Sequence, residues 1–177
     1  MNSCFRLFFA LLPPPGVAAE IGWWRDWSGW QRSPVSDERL HITFLRLGDF
    51  AASPSGLIAH LAALKLRLPG CRIILDRMVF DSEAARLVAS ERIHALRSAH
   101  LRLRDELALQ GLALPRRMRF SPHVTLHYDP GPGGATWIDA ISWRATELVL
   151  IESIVGRHVH KIRGRWPLRS VAARSPP

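Results

Sequence analysis

LHITFLRL (40–47) and FSPHVTLHY (120–128) decide how this chain is read. Each carries the same kind of tetrad: His41-Ile42-Thr43-Phe44 in the first, His123-Val124-Thr125-Leu126 in the second. Both stretches are rich in β-branched, aliphatic and aromatic residues and read as strands. Side chains alternate between the faces of a strand, so a histidine and a threonine at i and i+2 point the same way. The aliphatic second and fourth residues then turn into a core. One such tetrad is accounted for by a half-buried strand with a surface histidine. Two copies, in halves of similar element order, allow another arrangement. If a pseudo-twofold relates the halves, both imidazoles and both hydroxyls line one cleft.

Outward from the tetrads, CFRLFFALL (4–12) reads as a strand. Arg6 and the apolar run behind it faintly imitate a signal peptide, but Pro13, Pro14 and Pro15 end the run after too few residues, so a buried strand and turn is expected. A helix can start at Pro15, where proline is tolerated in a first turn. It leads into Trp23, Trp24, Trp27 and Trp30, more indole than one helix face can bury. Leu57, Leu61, Leu64 and Leu68 are spaced for a helix over 53–68. Residues 71–80 and 84–90 read as a hairpin turning near Asp81-Ser82-Glu83. The longest helix is expected over 91–110, with Ile93, Leu96, His100, Leu103 and Leu107 on its apolar face and His100 as a satisfied core histidine. Residues 129–134 form a Pro/Gly loop, and 145–155 with 157–166 a closing pair of strands. The order β-α-β-α-β-β-α-β-β-β lacks regular βαβ alternation, so the fold class is α+β with mostly antiparallel sheet. No linker divides residues 1–177, which read as a single domain.

Composition bounds the function. Of 177 residues 47% are hydrophobic and 22% charged, which supports a core and disfavours disorder. No apolar run reaches the ~20 residues of a membrane-spanning helix. Cys4 and Cys71 cannot build a disulfide framework or a four-thiolate zinc site, so the expectation is a cytoplasmic protein. The net charge is +9, concentrated in 91–119 and 144–177, and only Lys65 and Lys161 are lysines. Arginine forks suit phosphate, so either a polyanionic partner or a solvated basic surface is implied.

Two histidines facing one another suit phosphodiester chemistry. One takes a proton from the attacking oxygen while the other protonates the leaving oxygen. An ordinary imidazole pKa of ~6.5 fits both tasks. Threonine hydroxyls can donate to the non-bridging phosphate oxygens. The arrangement requires no metal and no cofactor.

These residues resemble the 2H phosphoesterase superfamily, in the branch of RNA 2′,3′-cyclic phosphodiesterases also called 2′-5′ RNA ligases. RLFFALLPPP (6–15), LHITFLRLGD (40–49), FSPHVTLHYD (120–129) and GRWPL (164–168) carry the resemblance, in the family's order and over nearly the whole chain. It implies a bilobal α+β fold of two mostly antiparallel sheets, helices outside, around a positively lined pseudo-twofold cleft. It implies hydrolysis of an RNA terminal 2′,3′-cyclic phosphate to a 2′-phosphate, without metal or ATP, with reversible 2′-5′ joining in many members. His41 and His123 would be the acid/base pair, with His123 activating water and His41 protonating the leaving 3′ oxygen. Thr43 and Thr125 would bind phosphate. The partner would be RNA with a cyclic phosphate end, and the protein a monomer with no obligate protein partner.

The chain departs from the family where many relatives carry an arginine three residues beyond the second threonine. Tyr128 stands there, preceded by His127, so that cationic contact is lost or shifted. Trp24, Trp27 or Trp30 could stack an RNA base; the alternative is that they fill a gap left by a shortened helix. His158 and His160 alternate along a strand without the further ligands a metal site needs. With Arg157, Lys161, Arg163 and Arg165 they would edge an RNA channel. Two rival readings remain: a non-catalytic RNA-binding protein, and a phosphodiesterase acting on a small cyclic nucleotide or ribose phosphate.

Overall fold

The computed structural model describes residues 4–29, 33–114, 120–128, 131 and 133–169. Trp30 and residues 129, 130 and 132 of the Pro/Gly loop lie outside them. The strands are β1 (Phe5–Leu11), β2 (Ile42–Phe50), β3 (Arg72–Phe80), β4 (Ala85–Val88), β5 (His123–His127), β6 (Gly134–Arg144), β7 (Glu147–Ile154) and β8 (Val159–Pro167). The helices are α1 (Pro15–Trp27), α2 (Ser55–Ala62) and α3 (His94–Leu109), with a short 3₁₀ turn at Asp37–Arg39 before β2. All strand pairs are antiparallel, in the order β6-β3-β4-β5-β2-β1-β7-β8.

This is the expected α+β fold. Its two antiparallel sheets are the halves of one continuous eight-stranded sheet, joined through a single pair, Ile42 with Val124. The halves mirror each other. β1-α1-β2 in one and β4-α3-β5 in the other each fold a helix between two antiparallel neighbours. β7 then β8 flank the first half, as β3 then β6 flank the second.

The sheet has two unlike faces. Leu7, Phe9 and Leu11 of β1 turn into the main core with Ala18 and Ile21 of α1, Leu61 of α2, and Leu96, Leu103 and Leu107 of α3. Phe8 and Ala10 alternate to the other face and pack with Val149 and Ile151 of β7. The N-terminal apolar run is therefore a central strand buried on both faces. Among the described residues no helix is long and apolar enough to cross a membrane.

Two expectations need correction. The helix over 53–68 stops at Ala62. Beyond it Leu66 and Leu68 are buried at every second residue, and tertiary donors replace the helical ones: Trp166 Nε1–H donates to the Leu64 carbonyl at 2.7 Å, and the Arg169 amide to that of Leu68 at 2.9 Å. Trp166 reaches this position because it folds over Gly164, where a Cβ would stand 2.5 Å from the indole. The second correction is β6, a strand where none was expected between the loop and residue 145. It is an edge strand, mostly exposed; only Ile141 and Trp143 are buried.

Candidate active site

Each tetrad ends in a β-bulge, and the two bulges match. On β2, Thr43 pairs with Ala10 and Leu45 with Phe9, so Phe44 is the extra residue. On β5, Thr125 pairs with Arg86 and His127 with Ala85, so Leu126 is the extra residue. A bulge leaves its extra residue outside the ladder and bends the strand. The freed carbonyls find other donors, as buried polar groups must. Phe44 O accepts from His100 Nδ1–H at 2.7 Å, and Leu126 O from the Val35 amide at 2.8 Å. His100 is the expected core histidine but is satisfied at Nδ1 alone, since its Nε2 is buried with no partner among the described residues; the ring stacks on Phe120 with centroids 4.1 Å apart.

His41, Thr43, His123 and Thr125 all line one cleft of about 710 Å³. The two imidazoles are anchored identically. His41 Nδ1 lies 2.7 Å from the Arg39 carbonyl, and His123 Nδ1 lies 2.8 Å from the Ser121 carbonyl, in each case two residues back. A carbonyl oxygen only accepts, so Nδ1 carries the hydrogen in both rings. Nε2 is left as the nitrogen that can take or give a proton. Burial lowers the pKa of both rings, opposed in each by that backbone hydrogen bond. His41 is lowered further by the charges of His123 and Arg39, His123 by that of Arg86.

A third imidazole packs against the first. His160 meets His41 edge-on at 5.3 Å between centroids, and Phe8 lies 5.1 Å from His41. Burial, then the charges of His41 and Arg39, push the His160 pKa down to about 4. His158 and His160 both line the cleft, but not by strand alternation: β8 starts at Val159, and His158 stands in the turn before it with a left-handed backbone.

The other candidates fall elsewhere. Arg157, Lys161, Arg163 and Trp27 do not line the cleft. Arg163 donates to Glu152 Oε2 through Nε at 2.9 Å and Nη2 at 2.6 Å, and that carboxylate is buried and also accepts from Ser53. Trp27 is 60% exposed at the end of α1, edge-on to Trp24, which packs against the core. His127 is buried, with Nε2 3.3 Å from the Arg25 carbonyl of α1. Tyr128 does reach the cleft.

Sequence reading did not single out Arg39 and Arg86. Both line the cleft. Arg86 sits on β4 opposite Thr125, ion-paired with Asp81 and Glu83. Arg39 stands two residues before His41, a proximity visible in the sequence had the flanks of the tetrad been weighed for charge. Among the described residues no carboxylate lies within ion-pair distance of it.

Solved structures share this architecture. E. coli LigT complexed with 3′-AMP is 27% identical, with a TM-score of 0.72 over 93% of this chain and 98% of that one. LigT complexed with phosphate is also 27% identical, with a TM-score of 0.68 over 94% and 98%. The TT0787 protein of Thermus thermophilus, at 22% identity and a TM-score of 0.68 over 94% and 99%, shares the fold. No curated protein matches the chain. The family model for the 2′-5′ RNA ligase superfamily matches residues 13–157. With that match over most of its length, and the fold of LigT around its paired tetrads, this chain belongs to the 2′-5′ RNA ligase superfamily of 2H phosphoesterases.

Proposed function

We propose that the protein hydrolyses the terminal 2′,3′-cyclic phosphate of RNA to a 2′-phosphate. Water attacks phosphorus, the bond to the 3′ oxygen breaks, and a free 3′ hydroxyl is released. One imidazole Nε2 takes the proton from water and the other gives its proton to the 3′ oxygen. Thr43 and Thr125 donate to the non-bridging oxygens as charge gathers there. With a 5′ hydroxyl in place of water as the departing or attacking oxygen, the same parts break or form a 2′-5′ linkage. The observation that carries this reading is the matched pair of Nδ1-anchored histidines on one cleft. The phosphate and 3′-AMP complexes of LigT support the substrate class.

We assign His41 as base and His123 as acid, the reverse of the order implied by the resemblance. His41 faces His123 and the guanidinium of Arg39, which no carboxylate among the described residues neutralises, and both charges disfavour its protonation. His123 faces Arg86, whose charge Asp81 and Glu83 offset.

The test is turnover of an oligonucleotide ending in a 2′,3′-cyclic phosphate. His41→Ala and His123→Ala should each lower kcat by ~10²–10⁴-fold. RNA binding without turnover by the unaltered protein would overturn the proposal in favour of a binding protein.

A further inference from the structure

We propose that Arg39 and His158 form a subsite for a second phosphate of the RNA strand, the phosphodiester one ribose away from the cyclic end. The inference rests on the RNA-end reading above and names the substrate as a strand, not a free nucleotide.

Among the described residues four arginines line the cleft: Arg6, Arg39, Arg46 and Arg86. Three are held by carboxylates. Arg6 and Arg46 share Asp49, at 2.9 and 2.7 Å, and Arg86 is held by Asp81 and Glu83. Arg39 has no such partner among the described residues. Its Nη1 donates to His158 Nδ1 at 3.1 Å, and its Nε is buried with no acceptor. A half-buried guanidinium that no described carboxylate meets is costly to hold, and an anion at the cleft relieves that cost.

His158 strengthens the case. It adopts φ 54° in the turn between β7 and β8, a left-handed conformation that non-glycine residues seldom take. Strain of this kind persists where the surroundings demand it, often at ligand sites. Since the guanidinium donates to Nδ1, the ring hydrogen of His158 stands on Nε2, a second donor on an exposed ring at the cleft. Donors from two chain segments thus converge where no carboxylate among the described residues pairs with either.

The position fits a flanking phosphate better than the scissile one. Arg39 is tied to His158 in the turn between β7 and β8, and those strands lie beyond β1, on the side of β2 away from β5, which carries His123. It therefore stands on the outer side of His41, past the pair that grips the reacting phosphorus.

The experiment compares a cyclic-phosphate oligonucleotide of about 20 nucleotides with cytidine 2′,3′-cyclic phosphate. Arg39→Ala should lower kcat/KM for the oligonucleotide at least tenfold more than for the mononucleotide. Arg39→Lys should restore part of that difference. His158→Gly, suited to the left-handed backbone, should lose less in the same direction. The slope of log affinity for the oligonucleotide against log salt should flatten by ~0.7 in Arg39→Ala, the change for one lost phosphate contact on a single strand. Equal losses on both substrates, or none, would overturn the subsite, and an unaltered His158→Gly would remove His158 from it. If the unaltered protein turns over neither substrate, the hydrolytic reading fails by itself. The subsite is then decided by binding of a 2′-phosphate oligonucleotide, which Arg39→Ala must weaken tenfold for the proposal to stand.

Discussion

Ile42 of β2 pairs with Val124 of β5, the single register pair that joins the two halves of the sheet. Both residues are fully buried, and each is the second residue of its tetrad. Pairing at that position sets His41 and Thr43 on one strand beside His123 and Thr125 on the other. Beyond it the matched bulges at Phe44 and Leu126 bend the two strands, and the cleft opens over the join.

The threonines are expected to act on the transition state. Loss of one preorganised donor to a developing oxyanion costs ~10²–10³ in kcat. Thr43→Ala and Thr125→Ala should each fall toward that range with KM little changed, while the serine variants keep most activity. Steady-state kinetics on the cyclic-phosphate oligonucleotide checks this, and a change confined to KM would count against it.

The rate should peak on the acid side of neutrality. Burial and neighbouring cations lower the pKa of both His41 and His123. A base works when unprotonated, so the rising limb of kcat/KM lies below pH ~6.5; an acid works when protonated, so the falling limb also moves down. The limbs belong to the coupled pair. Arg39→Ala removes one of the two charges acting on His41, leaving that of His123, and should move a limb upward. An optimum of kcat/KM above pH 7.5 would contradict this.

Stability should fall as pH drops below the ordinary imidazole range. His160 binds its proton near pH 4 in the folded chain and near ~6.5 when unfolded. Between those values the unfolded state holds more protons, so stability rises with pH through the window and is lost as pH drops. The loss from His160 is on the order of 2 kcal/mol. His41, His100 and His123 are shifted in the same direction. Urea denaturation at pH 7 and pH 5 measures the slope, which His160→Phe should reduce.

His100 should matter for the shape of β2. His100→Leu removes the donor to the Phe44 carbonyl and leaves a buried acceptor unsatisfied, at a cost of ~1–3 kcal/mol. Because the bulge at Phe44 lies next to Thr43, kcat should fall as well. Full activity with lowered stability would separate the bulge from the chemistry.

Arg163 should behave as a structural residue. Its guanidinium compensates Glu152, which is 1% exposed. Arg163→Ala leaves that carboxylate with the Ser53 hydroxyl and the charge of Lys161 and should cost ~2–4 kcal/mol by urea denaturation, more than truncation of a surface arginine.

The strands that build the site were legible because their pattern is local. Alternation in HITF and HVTL states which residues turn inward, the apolar run of RLFFALL marks a buried strand, and β1, β2 and β5 form there. The helix over 91–110 was legible for the same reason, its apolar face recurring within one element. The end of α2 was not. Leu64 and Leu68 continue a helical spacing, and only Trp166 and Arg169, far along the chain, decide that their carbonyls leave the helix. Nor was β6, whose exposed edge position removes the alternation that marks a half-buried strand.

By itself the sequence determined the residue types of the chemistry and the strand faces that carry them, since a period of two is a property of neighbouring residues. Only the tertiary structure decided which arginines face the cleft and which of those meet a carboxylate among the described residues. Asp49, Asp81, Glu83 and Glu152 claim their partners across strands and turns, and His158 meets Arg39 from the opposite end of the chain. Ion pairs and hydrogen bonds act over a few ångströms in space, a distance that position along the chain does not encode.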